Sequence, residues 1–182
     1  AGRRVNLPLA TIVAEATVRL IPTAYYKPPV LTPLVEDARD LAILAAIEGL
    51  TSQRLIAEKA GLPGLDPREL VFRARGQTHI NAAFAYTRAG GNRFNDASRG
   101  AWYAGFDDLT AIAEVAFHRT RELERIDYFE DEAVYQSLLA GFMADFHDLR
   151  SAPGDTPCLS PDTGAAYPAG QALARSMRDS GS

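Results

Sequence analysis

Three short stretches of this chain carry residue types suited to chemistry on an anionic, aromatic ligand. They are Gly90-Gly91-Asn92-Arg93-Phe94-Asn95, Gly100-Ala101-Trp102-Tyr103-Ala104 and Thr110-Ala111-Ile112-Ala113-Glu114-Val115. Paired glycines let the backbone approach a ligand closely, and the guanidinium of Arg93 can fork onto phosphate oxygens. Trp102 and Tyr103 offer ring faces that stack on a flat heterocycle, best on a cationic one. Glu114, among small alanines, can stabilise positive charge on a reacting sugar, as in glycosyl transfer through an oxocarbenium-like transition state. Each residue also has a plainer reading on its own. Taken alone, Arg93 reads as a surface arginine in a turn, the two aromatics as packing residues, and Glu114 as the solvated partner of His118 four positions on. Charge sharpens the picture. Val71 to Gly105 holds Arg73, Arg75, Arg88, Arg93 and Arg99 against the single acid Asp96, inside a chain of net charge −4. The segment is a local positive island.

Elements must hold these groups in place. Thr17–Ile21 is β-branched and apolar and reads as a strand. Pro22, Pro28, Pro29 and Pro33 then impose an extended loop containing Tyr25 and Tyr26. Leu41, Leu44, Ala45 and Glu48 set a helical period over about 36–50. Thr51 caps a second helix that stops at Gly61. Pro63-Gly64 and Asp66-Pro67 mark turns. Leu70–Ala74 reads as a strand, Ile80–Tyr86 as extended, Gly90-Gly91 as a turn and Ala101–Ala104 as a short strand, with Trp102 and Tyr103 facing opposite ways. Asp107 or Asp108 caps a helix to Ile126. Asp131–His147 reads as an amphipathic helix with Ala133, Val134, Leu138, Phe142 and Phe146 inward. Ser151–Pro168 is a loop and Ala169–Asp179 the last helix. Strands and helices without regular alternation give an α+β class.

Several functions are disfavoured by totals and motifs. Net charge −4 and the lack of aromatics interleaved along a basic face argue against direct nucleic-acid binding. No apolar run is long enough for a membrane span, and the start has no signal-peptide layout. One cysteine, Cys158, excludes an internal disulfide, fits a cytoplasmic protein, and reads as an incidental loop residue. Three scattered histidines form no metal motif. No Walker loop, Rossmann fingerprint or nucleophile elbow is present.

Taken together, the three stretches resemble the RES domain, a family named for an arginine, a glutamate and a serine and composed mostly of bacterial NAD+-consuming toxins of toxin–antitoxin pairs. Its signature is a Gly-Gly-Arg-Trp-Asn-like turn, a strand with a tyrosine, and an Ala-x-x-Glu helix. Here these correspond to Gly90–Asn95, Gly100–Ala104 and Ala111–Glu114, with Phe94 in place of the tryptophan and Asn92 moving the arginine one place along. Val18-Arg19-Leu20-Ile21-Pro22 is similar to the family's opening strand. Leu50–Leu55 and Asn81–Phe84 are similar to the longer, ADP-ribosylating branch, and Tyr167–Ala174 to its late helix.

The resemblance implies one domain over 1–182. It would comprise an opening strand and Pro-rich loop (11–35), a helical pair (36–61), a core motif region (70–126) and carboxy-terminal helices (131–180). The implied fold is a compact mixed sheet flanked by helices, like ADP-ribosyltransferase toxins. It further implies cleavage of the nicotinamide–ribose bond of NAD+, with ADP-ribose passed to water, phosphate or a target protein. Implied catalytic residues are Glu114, Tyr103 and Arg93. Implied NAD+ contacts are Arg19 and Arg93 on the pyrophosphate, Gly91 and Asn95 in the turn, and Tyr103 at the nicotinamide ribose. Asn81 and His118 would support them. No metal is implied. The implied partners are a cognate antitoxin and a target metabolic enzyme. The family's late helix leads into a serine-bearing strand, Gly-Ile-x-Tyr-Pro-Ser-x-Arg, which this chain ends before reaching. The alternative expectation is therefore a catalytically incomplete module that binds an antitoxin or target without turnover.

Overall fold

The computed structural model describes residues 7–25 and 37–180; within the first helix, the side chains of residues 38, 41, 42 and 44–46 are not described. Of the extended loop expected from Pro22 to Pro33, Pro22 is instead the last residue of a strand and Thr23–Tyr25 form a 3-10 turn, while residues 26–33 lie outside the described residues. In chain order the elements are β1 (Leu9–Pro22), α1 (Ala38–Thr51), α2 (Gln53–Ala60), α3 (Gln77–Ala85), α4 (Asp108–Ile126), β2 (Tyr135–His147) and α5 (Thr163–Asp179). The α+β class holds. Among the described residues the sheet is a two-stranded antiparallel ribbon. Backbone contacts divide the chain into two compact units, Ala1–Val30 with Tyr103–Ala152 and Leu31–Trp102 with Pro153–Ser182.

The first unit is built on the ribbon. β1 runs antiparallel to β2 from Leu9 opposite His147 to Pro22 opposite Tyr135. Alternation places Ala10, Ile12 and Ala14 opposite Phe146, Ala144 and Phe142, with the two phenylalanine rings edge to face at 6.3 Å. The register slips between Ala14 and Thr17, a bulge opposite Gly141. Gly141 suits it, because an added Cβ there would lie 2.9 Å from the carbonyl oxygen of Glu15.

The expected Asp131–His147 helix is thus a strand. Leu138, Phe142 and Phe146 are spaced by four, which satisfies a helix and a strand alike, so periodicity alone does not separate them. Gly141 disfavours the helix interior and serves the bulge. On the opposite edge of β1, Val18 exchanges two 2.8 Å backbone hydrogen bonds with Gly105. The Ala101–Ala104 stretch expected as a strand is irregular, so strand geometry does not set the directions of Trp102 and Tyr103.

The second unit has a small apolar core of Ala57, Leu65, Leu70 and Ala85, with Leu62 and Phe84 against it. Ser52, one residue later than expected, caps α2, and Gly61 ends it at φ 79°. Ile80–Tyr86, expected to be extended, lies largely in α3, as its alanines favour. Leu70–Ala74 is not a strand. The buried Asn81 amide takes the place of a strand neighbour, accepting from the Val71 N–H at 2.9 Å and donating to its carbonyl at 2.8 Å. Two residues on, Arg73 turns the chain at φ 60°. α5 begins six residues before the expected Ala169, capped by Asp162, and Pro168 lies inside it. Burial of Ala166 and Gly170 outweighs the loop-like local composition.

Candidate functional site

The glycine turn is a closed loop with little freedom. Gly91 has φ 66°, and a Cβ there would stand 2.1 Å from the Asn95 carbonyl oxygen. Asn92 donates its backbone N–H to that same oxygen at 2.8 Å. Asn95 is buried, and its amide nitrogen donates to the carbonyls of Asp96 and Arg99 at 3.2 and 2.9 Å. Asn95 therefore shapes the loop from inside. Gly100 closes it against α3, donating its N–H to the Phe84 carbonyl at 2.7 Å.

Arg93 leaves this loop toward the segment before α5. Its Nη1 donates to the Cys158 and Ser160 carbonyls at 2.7 and 3.0 Å, and its guanidinium carbon lies 6.0 Å from the Tyr167 ring centroid. Nε and Nη2 carry no protein partner among the described residues. That pair is the forked edge of a guanidinium. The same edge grips carboxylates elsewhere in this chain, at Arg68–Asp66, Arg119–Asp131 and Arg150–Asp148. Arg93 is thus anchored by one nitrogen and keeps the edge that suits a phosphate.

The first unit holds the other predicted residues. Arg19 of β1 is half-buried, and its Nη1 donates to the Tyr103 carbonyl at 3.2 Å. Burial lowers the Arg19 pKa below the ordinary arginine value, an effect that the nearby Tyr103 partly opposes. A cation so placed favours an anionic neighbour. Gly105, two residues after Tyr103, leads to Asp107, whose carboxylate caps α4 by accepting from the Thr110 N–H at 2.8 Å. Glu114 lies within the second turn of α4, and its Oε1 is 2.9 Å from His118 Nε2. The Glu114 side chain is 67 % exposed and that of His118 35 %. The structure brings Arg19 to Tyr103 and Glu114 to His118. Gly91, Arg93 and Asn95 meet in the second unit.

The positive island is partly neutralised by its surroundings. Arg99 pairs with Glu69 at 2.6 Å and Asp96 with Arg175 at 2.6 Å. These pairs line a cleft of about 760 Å³ between the α2 exit turn, the 96–99 loop and the end of α5. Gly91, Arg93 and Asn95 do not line it, and its charges answer one another, so it is not where the predicted residues converge. The Ser98 hydroxyl and Arg175 hold the Asp96 carboxyl far below the usual carboxylate range. A group depressed on folding contributes stability above its unfolded pKa of about 3.9 and loses it as pH falls toward the folded value. Thermal denaturation from pH 7 down to pH 2.5 should therefore show a falling Tm below about pH 5. Asp96→Asn should start lower at pH 7 and fall less. Parallel curves for the two proteins would show that this contact carries no pH-linked stability.

Sequence reasoning missed Gln171, whose Nε2 donates to the Gly90 and Asn92 carbonyls, both at 3.0 Å. The available signal was the spacing of Tyr167, Gly170, Gln171 and Arg175, which share one helix face. It is legible only once α5 is known to start before Pro168. Among the described residues no cluster of three or more histidine, cysteine or acidic side chains could hold a metal, and no helix is long and apolar enough to cross a membrane.

The RES domain family matches residues 70–182, more than half of the chain. The chain belongs to the RES domain family. RES proteins are associated generally with NAD-related toxin–antitoxin activity. The RES match contains Gly91, Arg93, Asn95, Tyr103, Glu114 and the whole of α5; Arg19 precedes it. No curated protein and no solved structure matches the chain.

Proposed function

We propose that this RES protein consumes NAD+, breaking the nicotinamide–ribose bond and passing ADP-ribose to water, phosphate or a target protein. The observation that carries the reading is the RES match over the segment holding the turn arginine, Tyr103 and the helix-borne acid. In this reading the Nε–Nη2 edge of Arg93 takes a phosphate oxygen pair of the dinucleotide, and Arg19 takes the remaining pyrophosphate charge. A charge-assisted hydrogen bond of this kind contributes roughly 1.5–3 kcal/mol. Gly91 and Asn95 fix the loop from which Arg93 projects. Tyr103 orients the nicotinamide ribose. Glu114 faces the ribosyl cation as the carbon–nitrogen bond lengthens, and His118 steadies its carboxylate. The antitoxin is a protein partner that silences this activity, and the setting is the cytoplasm.

Incubation of the protein with NAD+, followed by mass spectrometry for free nicotinamide, phosphorylated ADP-ribose and modified protein, tests the proposal and identifies the acceptor together. Nicotinamide release above the spontaneous rate is expected. Its absence, with a thermal shift on adding a partner protein but none with NAD+, would replace this reading with that of a binding module.

A further inference from the structure

The geometry points to Gln171 as the residue that sets where Arg93 stands, and so as a positioning residue for dinucleotide binding. This rests on the proposed role of Arg93. One face of α5 is turned onto the glycine loop. Gly170 lies so close that a Cβ would stand 2.1 Å from the Arg93 carbonyl oxygen. Tyr167 lies by the Arg93 guanidinium, and Arg175 pairs with Asp96.

Gln171 is the member of this face that holds the backbone on both sides of Gly91. A primary amide nitrogen has two hydrogens, and Gln171 directs that nitrogen at two carbonyls, Gly90 and Asn92. Each is 3.0 Å away. The carbonyls of the two residues on either side of the left-handed Gly91 are thereby pinned to a helix, and the second belongs to the peptide that joins Asn92 to Arg93. Arg93 follows immediately, with its Nη1 fixed at the far side by Cys158 and Ser160. Backbone pinned on one side and side chain anchored on the other leave the Nε–Nη2 edge in one place. Gln171 touches no reacting atom in this scheme; it acts through Arg93.

Gln171→Met keeps length and helix preference and removes both donors. Steady-state kinetics of nicotinamide release should show KM for NAD+ rising about tenfold while kcat stays within about twofold, the signature of lost uniform binding. A merely structural defect would reduce the fraction of folded enzyme, lowering apparent kcat and leaving KM unchanged. Hydrogen exchange provides a second readout, independent of turnover. The Gly91 and Asn92 amides, which donate to Arg88 and Asn95, should exchange faster in the variant, with α4 unaffected. Unchanged KM, unchanged loop protection or loss of the folded state in Gln171→Met would each overturn the assignment. Absence of nicotinamide release by the wild type would instead remove the role given to Arg93, while exchange in the variant would still decide whether Gln171 holds the loop.

Discussion

Glu114→Gln is expected to lower nicotinamide release by about a hundredfold or more, equivalent to roughly 2.7 kcal/mol of barrier. The substitution keeps the shape of the side chain and deletes its charge. A preorganised group facing developing charge contributes about this much, by analogy with the roughly 3 kcal/mol of one oxyanion-hole donor. The fold should not notice. Glu114 is two-thirds exposed, and its hydrogen bond is to His118 one turn along the same helix, a type of pair that contributes little to stability. Thermal denaturation should give the same Tm as the wild type within about 2 °C. A Glu114→Gln protein that releases nicotinamide at the wild-type rate would remove the carboxylate from the mechanism.

Gly91→Ala should have the larger effect on stability. At φ 66° an alanine pays the left-handed penalty of roughly 1–2 kcal/mol. Its Cβ would also stand 2.1 Å from the Asn95 carbonyl oxygen and 2.7 Å from the Asp96 Cα, so the turn must open. Opening releases the Asn92–Asn95 hydrogen bond and disturbs the buried Asn95 amide. We expect a loss of at least about 3 kcal/mol and a Tm lower by roughly 6–12 °C. The control is next door. A Cβ on Gly90 meets nothing within 4 Å, and Gly90→Ala should leave Tm within about 2 °C. Equal melting of the two variants would show that the loop is not held as described.

Legibility in the sequence divided along physical lines. Caps and stops were readable because they are local. Asp107 and Gly61 act through side-chain acceptors and backbone freedom that neighbouring residues reveal. The turn at Gly90-Gly91 was readable for the same reason. In β2 a spacing of four suits helix and strand alike, and the deciding partner, β1, is remote in sequence. The Leu70–Ala74 segment has strand-like composition, yet the Asn81 amide satisfies the Val71 backbone and no ladder forms. Gly164 and Pro168 have loop character, which hides the start of α5, while burial of Ala166 and Gly170 decides the matter. For the candidate site, residue types pointed to an arginine, an aromatic and an acid. The Nη1 anchor of Arg93 and the amide of Gln171 depend on contacts more than sixty residues apart, which spacing does not encode.

The ribbon of β1 and β2 has a consequence for biosynthesis. Leu9 finds its partner only in His147. At the usual elongation speed the ribosome needs on the order of ten seconds to make the intervening polypeptide. Through that interval the opening strand waits unmated, and the half of the molecule bearing Glu114 cannot assemble its scaffold. The sheet of this unit can therefore close only after residues 135–147 have emerged from the ribosome.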